Sequence, residues 1–565
     1  MLELYLLLAL VILLAWPLGK YLAKVMANQP MKSDVMFGWI ERPIYAILGI
    51  KPEQQMGLRQ YVAAFLVSCV VLLVLSTCIF MTQAWLPLNP NQAPNMSWDL
   101  ALHTTISFLT NTNQQHYSGQ AQLSYFSQMT AIVGLQVITP MMGLALAVAT
   151  LRAFFLQKKN NDNLTSESIQ LGNYWADLVR PTVRFLMPLC LIWSLLLNWQ
   201  GVPATFQGGP EVQVLDHSVE KQLQKIPLGP VAPMVAIKQL GSNGGGWYGP
   251  NSSVPLENPT PFSNFLEMLA ILLIPVSLIF MLGYFTQRKR FAVFVFGTML
   301  LMSVLSATAS IWSESLSETA HQITVMEGKE QRFGAASSAL WAAVTTQVNN
   351  GSVDMMHDSS APLTGLVALS NMLINAIWGG IGCGLQQFIV YLLLTVFIAG
   401  LMTGRTPELF GRKIEAAEIK LLAILILLQP IVILAFTAIT LVNPAISGIS
   451  NAGAHGISQV FYEYVSAFAN NGSGFEGLGD NTIWWNLSCS AVLLLGRFPA
   501  LIIPLMIAVR LAQKRQAPES SGSLKVETPT FSLTLIAVVI TLTLLQFMPI
   551  LVLGPIADYL SMQLG

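Results

Sequence analysis

Charged side chains are scarce in this sequence: Asp, Glu, Lys and Arg make up 10% of its 565 residues, where a soluble domain carries about 25%. That shortage excludes a water-soluble globular protein. The 28 basic and 28 acidic residues cancel, and no basic block of the kind that grips phosphate backbones occurs, so nucleic acid is excluded as a partner. Cysteine is rare as well. Cys69, Cys78, Cys190, Cys383 and Cys489 stand in apolar or glycine-rich surroundings with no C-x-x-C pair. They read as small core residues rather than a zinc site or a disulfide framework. The histidines (His103, His116, His217, His321, His357 and His455) form no H-E-x-x-H or similar ligand spacing, which argues against a membrane-bound metalloenzyme. Missing too are an Asp-Lys-Thr-Gly phosphorylation motif, a Gly-x-x-x-x-Gly-Lys-Ser/Thr loop and any polar stretch long enough to fold a nucleotide domain. A process driven by ATP would need a partner subunit.

Apolar residues fill 53% of the chain, and the mean hydropathy is +0.59. About twenty apolar residues cross a bilayer. This length predicts ten spans near 2–20, 61–82, 127–150, 178–198, 263–285, 291–312, 371–401, 419–442, 484–509 and 529–553. The expected fold class is an all-α polytopic membrane protein. The run 2–19 holds Glu3, lacks a basic leader and is followed by Lys20 and Lys24, the pattern of a first span rather than a cleaved signal. Cytoplasmic loops collect Lys and Arg, and an outer N-terminus makes every second loop basic. These loops lie around 20–59, 152–184 (with Lys158 and Lys159), 288–290, 405–420 and 510–525. Only Lys221, Lys225, Lys238, Lys329 and Arg332 fall on the outer side, and Arg497 falls within a span. The outer loops carry Asp99, Glu257, Glu314, Asp354, Glu463, Glu476 and Asp480 among other acids, a distribution that raises local cation concentration.

Four polar turns interrupt this plan, each on the outer side after a short apolar run. They are Thr110-Asn111-Thr112-Asn113, Ser242-Asn243-Gly244, Asn349-Asn350-Gly351 and Asn470-Asn471-Gly472. The shared pattern is a small polar or amide residue, then Asn, then Gly, with Thr112 in the glycine place of the first copy. Four copies predict four-fold pseudo-symmetry about one axis. The expected units are a first span with its basic loop (1–58), four span–loop–span repeats (59–159, 160–290, 291–413 and 414–515) and a last span (516–565). Irregular backbone at membrane depth is tolerated only where it is buried or lines a water-filled cavity. The runs 102–109, 231–240, 340–348 and 460–469 are expected as short re-entrant helices leading into each turn.

A bare alkali cation needs several oxygen ligands to replace its hydration shell, and rings of backbone carbonyls supply them. Gly244, Gly351 and Gly472 free the backbone to turn those carbonyls, and Thr112 is expected to stiffen its quadrant. Asn111, Asn243, Asn350 and Asn471 can add amide oxygens or brace the loops from behind. No carboxylate lies within any turn, which favours a monovalent ion over a divalent one. The expectation is a potassium-selective filter.

These turns, with Asn251-Ser252-Ser253, Glu257-Asn258-Pro259-Thr260, Met356-His357-Asp358 and Gly404-Arg405-Thr406-Pro407-Glu408, resemble the KdpA family over essentially the whole chain. Its members are potassium-binding subunits of bacterial Kdp P-type potassium ATPases, within the superfamily of potassium transporters. The resemblance implies K+ as the transported ion, no nucleotide or organic cofactor on this chain, and uptake across the bacterial inner membrane. It implies KdpB, KdpC and KdpF as partner types beside membrane lipids, and it places Gln115 and Asn251 at the outer mouth. The chain departs from the family pattern locally: an aromatic is usual at Gln114, Thr at Ser242, and Ser-Cys at Asn349-Asn350. Stand-alone channel-like transporters of the Trk, Ktr or HKT kind share the four-loop plan, and uptake without ATP would mark one.

Two features lie beyond the turns. Arg497 sits mid-span, where a charge costs at least about 2.5–3.5 kcal/mol. It is expected to face a cavity and bar cations from the cytoplasm, or to hold carbonyls of a broken helix. Gly379, Gly380, Gly382 and Gly384 interrupt the span 371–401, each costing a helix about 1 kcal/mol relative to Ala. A break, and a gating loop under the filter, are expected; close packing by small residues is the alternative.

Overall fold

The computed structural model describes residues 1–156, 168–215, 223–316, 326–517 and 524–564; Lys158, Lys159, His217, Lys221 and His321 lie outside them. Among the described residues, ten helices are long and apolar enough to cross a membrane. They are Leu2–Met26, Leu58–Trp85, Tyr125–Phe154, Tyr174–Trp199, Pro261–Phe285, Lys289–Ser315, Cys383–Met402, Ala416–Val442, Ile483–Gln513 and Pro529–Gln563. Every predicted span is found, and the chain is a multi-pass membrane protein.

Burial sorts these spans into layers. The fifth, Pro261–Phe285, is 89% buried over its apolar window and the third, Tyr125–Phe154, 78%, so both belong to the centre. The second and eighth, at 22% and 28%, turn their apolar faces outward as lipid demands. Lipid tails are as apolar as leucine, so helix pairing inside a bilayer depends on close approach. The first span achieves this at Gly19, where an added Cβ would come within 2.5 Å of the Ser277 carbonyl oxygen on the fifth.

Four further helices dip into the bundle: Trp98–Leu109, Val231–Leu240, Ala335–Val348 and Gly453–Ala469. They contain the short runs predicted from sequence and are buried almost throughout. The seventh span is broken as its glycines demand. A helix Pro362–Ile374 ends at Asn375, residues 375–382 are non-helical, and Cys383–Met402 completes the crossing. Asn375, Gly379, Gly380 and Gly382 all take positive φ, between 49° and 87°, a region costly to residues with a Cβ.

The basic loops gather at the end opposite the re-entrant helices and knit it together. Arg152 donates to Leu171 O at 2.7 Å, Met26 O at 3.0 Å and Asp177 Oδ1 at 2.8 Å. Arg412 donates to the carbonyls of Phe154 and Leu156, and Lys514 Nζ to Lys413 O at 3.0 Å. Three basic residues at the other end are structural. Lys329 pairs with Glu314 at 3.0 Å, Arg332 donates to Ser253 O at 2.6 Å, and Lys238 is fully buried against Glu257. Part of the acidic outer face expected from the sequence is structural as well. Asp99, Glu257, Glu314, Asp354 and Glu463 are buried, because they sit on or beside elements that dip into the bundle.

One ion network ties the last span to this end. His455, at the start of the fourth re-entrant helix, lies 2.9 Å from Asp358 and 2.9 Å from Asp558. The two carboxylates hold its imidazolium, raising the pKa to about 9, above the unperturbed value of about 6.5. A raised folded-state pKa stabilises fully below the unfolded value, and the benefit drains as pH rises through the folded one. The thermal midpoint is therefore expected to fall between pH 6.5 and about 9.5 in the wild type. The His455→Gln variant, compared by the same melts, lacks that step.

Candidate functional site

The four re-entrant helices end on one device. Just past the helical residues, Asn111, Ser242, Asn349 and Asn470 are left-handed, with φ of 62°, 52°, 57° and 57°. The next residue returns its N–H to the carbonyl five residues back: Thr112 to Ser107 at 3.0 Å, Asn243 to Lys238 at 3.1 Å, Asn350 to Thr345 and Asn471 to Ser466, both at 2.9 Å. The third residue has positive φ again: Asn113 at 58°, Gly244 at 81°, Gly351 at 91° and Gly472 at 103°. Its N–H reaches six residues back, to the Ser107 and Lys238 carbonyls at 3.1 Å and to the Thr345 and Ser466 hydroxyls at 2.9 Å.

This geometry corrects the register of the first copy by one residue. Asn113, not Thr112, occupies the glycine place, because Asn tolerates the left-handed region better than other residues with a Cβ. Thr112 takes the place of Asn243, Asn350 and Asn471, so it has no need of glycine's freedom. Thr110 stays at the helix end, its hydroxyl bonded to Ile106 O at 2.9 Å and meeting Thr112 Oγ1 at 2.9 Å. Asn113→Gly is accordingly expected to change the melting midpoint of the purified protein little, while Thr112→Gly lowers it. The opposite order would restore the other register.

The turns close into a ring. A Cβ on Gly472 would collide with the Thr112 carbonyl oxygen, one on Gly351 with that of Asn471, and one on Gly244 with that of Asn350. Gly245 completes the circuit against the Asn113 side chain. Middle-row amides brace this ring from behind. Asn350 Nδ2 donates to Lys238 O at 3.0 Å and Asn471 Nδ2 to Thr345 O at 3.1 Å. Their oxygens accept from the N–H of Ser352 at 3.0 Å and Ser473 at 2.9 Å. The amides of Asn111 and Asn243 meet at 2.5 Å, and Asn111 Nδ2 donates to Ser242 O at 3.0 Å.

The ring separates two cavities. The outer one, about 500 Å³, has Asn113, Gly244, Gly351 and Gly472 in its lining, with Gln115, His116, Asn251, Glu463, Glu476 and Asp480. The inner one, about 20 Å³, is lined by Asn111, Asn349 and Asn470 together with Asn375, Gly379, Gly380, Cys383 and Arg497. That volume holds about one water, so the passage is narrow beneath the ring. Thr112, Asn243, Asn350 and Asn471 line neither cavity and lie between the two.

Gln115 and Asn251 both reach the outer cavity and both serve the second turn. Gln115 exchanges two hydrogen bonds with the Gly246 backbone, at 2.9 and 3.0 Å. Asn251 donates to Gly244 O at 2.6 Å and accepts from Lys238 Nζ at 2.7 Å. Arg497 is 6% exposed, donates to Cys383 Sγ at 2.9 Å, and forms no ion pair among the described residues. Of the four glycines, Gly379 and Gly380 face this inner cavity. Gly382 and Gly384 are packing positions instead, set against the carbonyls of Gly143 and Trp378.

Sequence reasoning put Glu463, Glu476 and Asp480 on the outer side but missed that they meet His116 in the wall of the outer cavity. Glu463 accepts from Gln114 Nε2, next to the ring, and faces His116. The only signal was a lone carboxylate on the fourth re-entrant helix. Burial pushes Glu476 up to about 8 and Asp480 up to about 6.

A family model described as KdpA, potassium-transporting ATPase A subunit, matches residues 5–560. Among curated proteins, a potassium-transporting ATPase potassium-binding subunit of Caldanaerobacter subterraneus is 42% identical over 99% of both chains. One of Synechocystis is 44% identical over 98% of both. Among solved structures, the potassium transporter TrkH of Vibrio parahaemolyticus shares the fold, with a TM-score of 0.51 and 15% identity over 79% of this chain and 84% of that one. The chain belongs to the KdpA family.

Proposed function

We propose that this chain is the potassium-binding and translocating subunit of an ATP-driven, high-affinity potassium uptake complex. The observation that carries the reading is the ring of four turns between an open outer cavity and a narrow inner one lined by Arg497. The curated relatives' names point the same way. Potassium enters from outside the cell, sheds water at the floor formed by Asn113, Gly244, Gly351 and Gly472, and is held by backbone oxygens of the ring. Asn350 and Asn471 keep those loops at fixed spacing, and Gln115 and Asn251 hold the second turn in place. With no carboxylate in the ring, a divalent ion gains too little to lose its water.

Below the ring, Arg497 opposes a cation in the inner cavity, so the ion waits until the Gly379–Gly380 segment moves and then passes toward the ATPase subunit. Repeats 59–159, 160–290, 291–413 and 414–515 each contribute one quadrant. The complex sits in the bacterial inner membrane with the N-terminus of this chain outside, beside a catalytic subunit of the KdpB kind and smaller partners of the KdpC and KdpF kinds. Membranes carrying this chain with and without such a P-type ATPase partner test it. Uptake and potassium-stimulated ATP hydrolysis only with the partner support the reading. Uptake by the chain alone would instead make it a self-sufficient, channel-like transporter.

A further inference from the structure

Beside the outer cavity lies a donor set that potassium does not need. His116, Glu463 and Cys489 are all buried, and their ligand atoms lie within 4.8 Å of one another. Asp480 Oδ2 lies 4.0 Å from His116 Nε2, and Glu463 Oε1 lies 3.5 Å from it. His116 is 2% exposed, and its Nε2 makes no hydrogen bond. The other ring nitrogen settles which atom is bare. Asn486 Nδ2 donates to Asp99 Oδ2 at 2.8 Å, which turns Asn486 Oδ1 toward His116 Nδ1 at 2.8 Å. That oxygen only accepts, so Nδ1 carries a proton and Nε2 is the nitrogen turned toward the carboxylates. A histidine whose far nitrogen donates to an oriented oxygen is the arrangement metal ligands use.

We propose that His116, Glu463, Cys489 and Asp480 form a site for a thiophilic divalent ion of the Zn2+ class. An imidazole, a thiolate and carboxylates are a zinc donor set, with bonds of about 2.0–2.3 Å. A hard alkali ion has no use for sulfur and imidazole. His116, Glu463 and Cys489 draw inward to reach tetrahedral spacing, Asp480 joins from beside His116, and the Cys489 proton leaves to water as the metal–sulfur bond forms. His116, Glu463 and Asp480 line the outer cavity, whose lining among the described residues contains no Lys or Arg, so an ion from outside meets the site without a basic side chain of that lining opposing it. Capture would also draw Glu463 from Gln114, the residue that follows Asn113 in the ring.

Cobalt(II) tests the site on the purified full-length chain, where a thiolate-to-metal absorption band reports the sulfur directly and transport plays no part. The expected result is a saturable band displaced by Zn2+. Cys489→Ser removes the band, His116→Gln weakens binding about tenfold or more, and the exposed Cys78→Ser leaves it unchanged. Melting curves confirm that each variant is folded, and His116→Gln serves should Cys489→Ser unfold. Absence of a saturable band in the wild type, or wild-type binding by folded His116→Gln, overturns the proposal. Because no potassium is involved, failure here leaves the potassium reading intact, and the reverse holds.

Discussion

Gly472→Ala is expected to bind potassium at least about tenfold more weakly than the wild type, measured by rubidium or potassium binding to the purified complex, while the protein still folds. Two independent costs meet at this position. Its φ is 103°, and forcing a residue with a Cβ into left-handed backbone costs about 1–2 kcal/mol, each 1.4 kcal/mol being a factor of ten. The new methyl would also run into the Thr112 carbonyl oxygen. A backbone atom of a neighbouring turn cannot swing aside as a side chain does, so relief must come from moving the first turn against the fourth. Gly334→Ala separates strain from place. Its φ is 77° and nothing lies within 4 Å of the added atom, so it lowers the melting midpoint and leaves affinity alone. Unchanged affinity in Gly472→Ala would remove the fourth turn from the filter.

That contrast also shows what a sequence can and cannot disclose. Ten spans were legible because apolar length is a one-dimensional signal, and the break at 375–382 because four glycines cannot sit quietly in a helix. The turns were legible as a repeated pattern, but their register was not. Thr110-Asn111-Thr112 imitates the small–Asn–small order of the other copies. The residue that shares their backbone conformation is Asn113, which reaches positive φ by a different chemistry from glycine. Only the hydrogen bonds returning to Ser107, Lys238, Thr345 and Ser466 fix the alignment. The outer cavity wall was hidden for another reason. Glu463, Asp480 and Cys489 lie close together on the fourth re-entrant helix, the loop after it and the ninth span, but His116 belongs to the far-off first turn, and a scan for ligand spacing along the chain does not bring it to them. Burial of Glu257 and Glu314 was equally invisible, since a paired buried carboxylate and a solvated one are the same letter.

Arg497→Met is expected to break the coupling between ATP hydrolysis and potassium uptake. Methionine keeps much of the side chain's length and apolar bulk, so the substitution tests the charge more than the packing. A potassium ion in a cavity of about 20 Å³ lined by Arg497 would sit within a few ångströms of the guanidinium. Like charges about 4 Å apart repel by roughly 4 kcal/mol at an effective dielectric constant of about 20, which lowers occupancy on the order of a thousandfold. No carboxylate pairs with Arg497 among the described residues to cancel that field. Without the charge, potassium passes below the ring uninvited. Proteoliposomes of the variant complex should leak potassium down its gradient without ATP and move fewer ions per ATP hydrolysed. Arg497→Lys, which keeps the charge and loses the planar fork, is expected to restore the barrier. Were Arg497→Met to show wild-type coupling, the side chain would be a brace for Cys383 and the broken seventh span, and the barrier would have to lie in the Gly379–Gly380 backbone.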